Sequence, residues 1–225
     1  MILWIATNNK GKAEEFKLLL KEYHLYFLKD LSLSNSKMLT PWLKTSLISD
    51  KLKSSTFYQK PFSMPEEIGS SFKENARIKA QALKKFKPKE WVIGEDSGLE
   101  VPALGNAPGI YSARYAGPKA TDKDNLYLLL KNMDSLFDKD RYACFVSHII
   151  ALSPEGKEYS CEGKVEGSIA REPIGTAGFG YDPVFIPKGE TRRFSQLGMK
   201  YKNRSSHRFH AVQKIKAVIK YINRI

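Results

Sequence analysis

Cysteine is nearly absent from this chain: Cys144 and Cys161 are the only two, and no CxxC spacing joins them. That excludes a disulfide scaffold and a cysteine zinc site and fits a reducing compartment, with both thiols expected to be buried packing residues. Long apolar runs are missing as well. Nothing approaches the ~20 residues of a membrane helix, and the opening "MILWIA" is too short for a signal peptide and lacks its basic flank. A cytoplasmic protein without membrane attachment is expected. Acids are scarce too, 24 Asp and Glu against 37 Lys and Arg, for a formal charge of +13. Such a field attracts anions, leaving nucleic acid, nucleotides and anionic surfaces open, although a solvated Lys-rich face gives the same count. What is present in ordinary measure, 42% hydrophobic and 27% charged residues, excludes disorder and points to a soluble globular fold.

No repeat or linker divides the chain, so one domain over residues 1–225 is expected. "MILWIA" reads as a buried strand, "TNNKGK" as a loop, and "AEEFKLLLKEY" as a helix with Phe16, Leu19, Leu20 and Tyr23 on one face. A second helix, "SFKENARIKAQALKKF", has capping-box spacing at Ser71 and Glu74; Ile78, Ala82 and Phe86 recur on its core side and Glu74, Asn75 and Lys79 on its polar side. "WVIGED" is a short strand expected to end at its acids, followed by a helix with Leu126, Leu129, Leu130 and Met133 at core spacing. "RYACFVSHIIAL" and "KEYSCEGKVEGSIA" flank the turn "SPEGK" and should form a hairpin. The closing helix carries Val212, Ile215, Ile219 and Ile222. The order implies an α/β fold whose mixed central sheet is flanked by helices. Residues 32–63, rich in Ser, Thr and Lys with the single acid Asp50, show no period and read as an insertion or mobile excursion.

Five stretches have the composition of a site. "ATNNKGK" leaves a strand and opens a helix, so it is a phosphate cradle backed by Lys10 and Lys12, or an ordinary capped helix start; GxxxxGK[ST] is absent. Glu95 and Asp96 stand where an α/β sheet collects ligands and offer the oxygens Mg²⁺ takes, or they merely cap a turn. Glu66, Glu67 and Glu74 are further candidate metal ligands. In "GTAGFGYDPVF", glycines permit close approach to a flat ligand, an aromatic ring can stack on a base, and Asp182 can accept hydrogen bonds; a glycine-rich hairpin is the rival. "KNRSSHR" gathers Lys202, Arg204, His207 and Arg208, donors suited to a base carbonyl or phosphate, or a basic surface loop. His24, His148 and His210 lack metal spacing.

Taken in order, "TNNKGK", "SFKENARIKA", "EDSGLEVPALGNAPGIYSARYAG", "GFGYDPVF" and "KNRSSHR" resemble the inosine triphosphate pyrophosphatase family, the XTP/dITP diphosphatases, over nearly the whole chain. The resemblance implies two lobes around a substrate cleft and Mg²⁺-dependent hydrolysis of ITP, dITP or XTP to the monophosphate and pyrophosphate. It also implies a homodimer with no stable nucleic-acid partner. Thr7, Asn8, Asn9, Lys10, Gly11 and Lys12 would line the triphosphate site. Asp96 would be the catalytic base and, with Glu67, a metal ligand; Ser97 would touch substrate. Phe179, Gly180, Tyr181 and Asp182 would frame the base, with Lys202, His207 and Arg208 completing the pocket. His207 and Arg208 as donors suit the 6-oxo acceptor of hypoxanthine and mismatch the 6-amino group of adenine. Glu95 departs from the family pattern, an aspartate being usual there, and "SQLGMKYKN" lacks the acidic pair usual before the pocket lysine. A pyrophosphatase of modified pyrimidine nucleotides, or a basic nucleic-acid-binding protein, are the alternatives.

Overall fold

Apolar side chains on both faces of β1 (Ile2–Ala6) demand cover on both sides, as in parallel sheets. The computed structural model describes residues 1–31 and 62–223, so the expected insertion at 32–63 lies outside the described residues but for its last two. A seven-stranded sheet runs β2 (His24–Phe27), β1, β3 (Trp91–Val101), β5 (Tyr142–Leu152), β6 (Glu158–Ile169), β7 (Phe185–Pro187), with the short β4 (Ala107–Pro108) paired to the end of β3. Here β1 pairs in parallel with β2 and β3, while β3, β5, β6 and β7 are antiparallel, which makes the sheet mixed as expected. The β5–β6 hairpin closes at "SPEGK" with Leu152 opposite Glu158.

Helices α1 (Lys10–Leu19) and α5 (His207–Ile222) cover one face, laying Phe16, Leu19, Val212, Ile215 and Ile219 over Leu3, Ile5, Ile93 and Ile149. On the opposite face α2 (Phe72–Lys84) sets Ala76, Ala80 and Leu83 on Trp4, Val92 and Ile150. Helices α3 (Asp122–Asn132) and α4 (Phe194–Ser205) belong to a second core, built with Leu99, Val101, Phe145 and Phe185 at the far ends of β3 and β5. The far ends of the long strands thus carry a core distinct from those under α1, α5 and α2. Both cysteines are buried and free, and burial pushes the Cys144 thiol up to about 11. Among the described residues no helix is long and apolar enough to cross a membrane.

Four expectations are corrected. The strand begun at "WVIGED" does not end at its acids; it continues to Val101 because β5 pairs with it along most of its length. The core face of α2 is rotated: Ile78, Ala82 and Phe86 are half-buried, and the buried stripe is Phe72, Asn75, Ala76, Lys79, Ala80 and Leu83. Close packing explains this, since a Cβ on Gly94 of β3 would lie 2.6 Å from the Ala80 nitrogen and closer still to the Ala76 carbonyl. Lys10, Gly11 and Lys12 are not loop but the first turn of α1, capped by Asn9. Lys202 and Arg204 lie in α4, which is kinked at Gly198 (φ 76°), and His207 and Arg208 open α5.

Candidate active site

Strand β1 stops at Ala6, opposite Gly94, while β3 runs on. From Glu95 onward β3 keeps β5 on one side and has lost β1 on the other. The notch lies at the carboxyl end of a parallel strand, where such sheets collect ligands. Since side chains alternate along a strand, Glu95 and Ser97 serve the α1–α5 face and Asp96 the α2 face.

On the α1–α5 side lies a buried ionic network. Arg208, 0% exposed, donates through Nη2 (2.9 Å) and Nε (3.2 Å) to Glu95 Oε1, through Nη2 to Ser97 Oγ (2.8 Å), and through Nη1 to Glu15. Ser147 Oγ donates to the same Glu95 oxygen at 2.9 Å, and Lys12 Nζ pairs with Glu95 Oε2 at 3.0 Å. Lys202 Nζ joins Glu15 Oε1 (2.8 Å) to Asp182 Oδ2 (2.6 Å) and stands 4.4 Å from the Phe179 ring centre. Burial works to raise the Glu15 and Glu95 carboxyls, but Arg208, with Lys202 beside Glu15 and Lys12 beside Glu95, outweighs it; Glu15 is held at about 2 and Glu95 well below the usual range. Asp182 goes the other way, raised by burial against the pull of Lys202. Burial, then Arg208, holds the His207 imidazole well below its ordinary value, and its ring lies flat on Phe145 with Nδ1 unpartnered among the described residues.

On the α2 side one ammonium sits between two acids: Lys79 Nζ is 2.7 Å from Asp96 Oδ1 and 2.6 Å from Glu67 Oε1. Asn75 Nδ2 reaches Asp96 Oδ2 at 3.4 Å, and Arg114 Nη1 holds Glu67 Oε2 at 2.7 Å. Burial raises the Asp96 carboxyl despite Lys12 and Lys79. Glu66 is exposed, which leaves Glu67 as the acid that faces Asp96 across Lys79. Glu74 is spent on Ser70, accepting from its amide at 2.7 Å and its hydroxyl at 2.8 Å.

The remaining residues are tied in by their backbone. Thr7 Oγ1 accepts from the Asn9 amide (3.2 Å) and Asn9 Oδ1 from the Lys12 amide (2.9 Å), so the positive end of α1 abuts the notch; Asn8 and Lys10 are exposed. The Phe179 amide donates to Asp182 Oδ2 at 2.9 Å, which bends the glycine-rich loop so that the Phe179 ring covers Gly11; a Cβ there would lie within 2.8 Å of ring atoms. The Gly180 amide is taken by Asp122 Oδ2 at 2.8 Å.

Two expectations change at this scale. Arg208 does not offer donors to a base, since it is fully buried and its Nε, Nη1 and Nη2 all bond to Glu15, Glu95 or Ser97. Tyr181 does not frame the pocket: it is buried in the second core, with its hydroxyl donating to the Ser112 carbonyl at 2.9 Å. Sequence reasoning missed Glu15, Asn75, Lys79, Arg114 and Ser147. Glu15 stands four residues before Leu19 on the apolar stripe of α1, and Lys79 lies between Ala76, Ala80 and Leu83; a charge on such a stripe was the available signal.

The Ham1 family model matches residues 3–218. A dITP/XTP pyrophosphatase of Bdellovibrio bacteriovorus is 41% identical over 99% of this chain and 100% of its own, and that of Bacillus licheniformis is 39% identical over 96% of each. The structure of the Staphylococcus aureus Ham1 protein superposes with a TM-score of 0.74 at 34% identity, covering 98% of both chains. The chain belongs to the Ham1 family.

Proposed function

We propose that the protein is a nucleoside triphosphate pyrophosphatase that hydrolyses deaminated purine nucleotides, ITP, dITP and XTP, to the monophosphate and pyrophosphate. The observation that carries this reading is the Glu67–Lys79–Asp96 arrangement at the notch, two carboxylates held 2.6 and 2.7 Å from one ammonium beside the first turn of α1. The names of its relatives supply the substrate class.

Among the described residues no group of three or more His, Cys, Asp or Glu is arranged to hold a metal. Two hard carboxylates nonetheless suit Mg²⁺, which takes one or two of them and fills its shell with water and substrate phosphate. Glu67 and Asp96 would hold it, and when bound it supplies charge neutralisation on the transferring phosphate. Lys12 and the N-terminal turn of α1 bind the triphosphate. Asp96, its carboxyl raised by burial, takes a proton from the water that attacks the α-phosphate. Lys202, fixed by Glu15 and Asp182, backs the Phe179 ring against which the base stacks. Discrimination falls to His207: being neutral, it donates from Nδ1 to a 6-oxo group only in the tautomer that places the proton there. A cytoplasmic homodimer completes the reading, and sedimentation at assay concentration checks the assembly.

The test is product identity. With Mg²⁺ and ITP the purified protein is expected to release pyrophosphate and IMP, and release of orthophosphate and IDP would sink the proposal.

A further inference from the structure

The stretch "GIYSARYAG" belongs to no role given so far, yet its arginine touches the notch. Glu67 lies in residues 62–70, which form no helix or strand, so its carboxylate has no regular element to aim it. Two side chains grip it, and a third contact anchors the loop that carries it. Lys79 takes Oε1, and the Gly69 amide donates to Asn75 Oδ1 at 2.8 Å. The second side chain is Arg114, whose Nη1 holds Oε2 at 2.7 Å while Nη2 reaches the Glu67 backbone carbonyl at 3.3 Å. One planar fork therefore grips both the side chain and the main chain of a single residue.

The support of that fork is rigid. Arg114 ends a 3₁₀ turn, Gly109–Arg114. Within it Ser112 Oγ accepts from the Leu99 amide of β3 (2.9 Å) and donates to the Gly109 carbonyl (2.6 Å), while the Ser112 carbonyl accepts from Tyr181. Asn125 of α3 pins both flanks, donating to the Ala113 carbonyl (3.2 Å) and accepting from the Ala116 amide (2.8 Å). Without Arg114, the Glu67 carboxylate keeps, among the described residues, only the ion pair to Lys79, which Asp96 shares.

We infer that Arg114 is a positioning residue: by occupying Glu67 Oε2 and its carbonyl it presents Oε1 toward Asp96, completing the carboxylate pair that receives the divalent ion. The inference rests on the proposed reading of Glu67 and Asp96 as the metal pair. A lysine is a point charge and cannot reproduce the two-pronged grip.

The experiment measures Mn²⁺ binding by electron paramagnetic resonance, without nucleotide, on the full chain as wild type, Arg114→Met, Arg114→Lys and Glu67→Gln. Thermal melts and Mg²⁺ activation of pyrophosphate release run alongside. Partners that orient a metal ligand are worth ~10–100-fold in affinity. Arg114→Met is expected to weaken Mn²⁺ binding by that range and to raise the half-activating Mg²⁺ concentration equally, with kcat at saturating Mg²⁺ within a few-fold of wild type. Arg114→Lys should recover only part of the loss. Wild-type Mn²⁺ affinity in Arg114→Met, while Glu67→Gln binds weakly, overturns the inference. So does a lowered kcat and melting point with an unchanged metal requirement, the pattern of a purely structural arginine. Wild-type affinity in Glu67→Gln overturns the metal pair and the inference with it. A protein inactive on deaminated triphosphates that still loses Mn²⁺ affinity in Arg114→Met overturns the substrate assignment and supports the role of Arg114.

Discussion

Glu95 and Asp96 are neighbours in the chain and face opposite sides of the sheet, and their surroundings push their carboxyls apart. Glu95 is clamped by Arg208, Ser147 and Lys12 and stays ionised; Asp96 is raised toward the range useful to a base. Replacing Asp96 by Asn should cost ~10²–10⁴ in kcat, with the melting point kept near wild type. A variant turning over ITP at the normal rate would remove Asp96 from the chemistry. Glu15 has the opposite profile, since it sits between Lys202 and Arg208. Glu15→Gln leaves buried cations undercompensated and should cost about 3–5 kcal/mol in urea unfolding. Asp96 and Lys12 were legible because they lie in compact motifs. Glu15 and Lys79 were not, because a charge on an apolar stripe shows its purpose only when partners from distant segments close over it.

At the scale of elements, the site exists because β1 is shorter than β3. The length of β3 was illegible: the strand reads as ending at Glu95 and Asp96, and pairing with β5, Ser97 opposite Ser147, keeps it extended. Helix α2 was found, but hydrophobicity weights Ile78 and Phe86 above the alanines that allow close approach to β3, so its faces were misjudged and Lys79 was taken for solvent. The short β2 and the kinked α4 escaped because one is a four-residue edge strand and the other carries Gly198 in its interior. A methyl group at Gly94 must push α2 away from the sheet. Gly94→Ala should therefore destabilise by about 1–3 kcal/mol in calorimetry, and an unchanged melting point would show that α2 adjusts freely.

For the whole molecule, the excess of 37 basic over 24 acidic residues is partly spent inside, where Lys202 and Arg208 neutralise acids that would otherwise destabilise the fold. That predicts acid sensitivity. Glu15 titrates near 2 when folded against an ordinary 4.5, so the unfolded chain binds more protons and stability rises with pH. A contribution on the order of 3 kcal/mol is present above pH 4.5 and is lost as pH falls toward 2. His207, depressed by burial, adds a loss that begins as pH drops through its ordinary 6.5. Asp182, raised by burial, opposes both. Unfolding free energies from pH 7 to 3 should fall for wild type and fall less for Glu15→Gln; parallel curves would contradict the assignment. The central claim, that this notch cuts deaminated purine triphosphates, is tested most directly by kcat/KM for ITP and ATP with Mg²⁺, read as pyrophosphate release. A discriminating hydrogen bond can reject the wrong partner by ~10⁴–10⁵; the account predicts that ITP exceeds ATP by at least about a hundredfold, and equal values for the two nucleotides would contradict it.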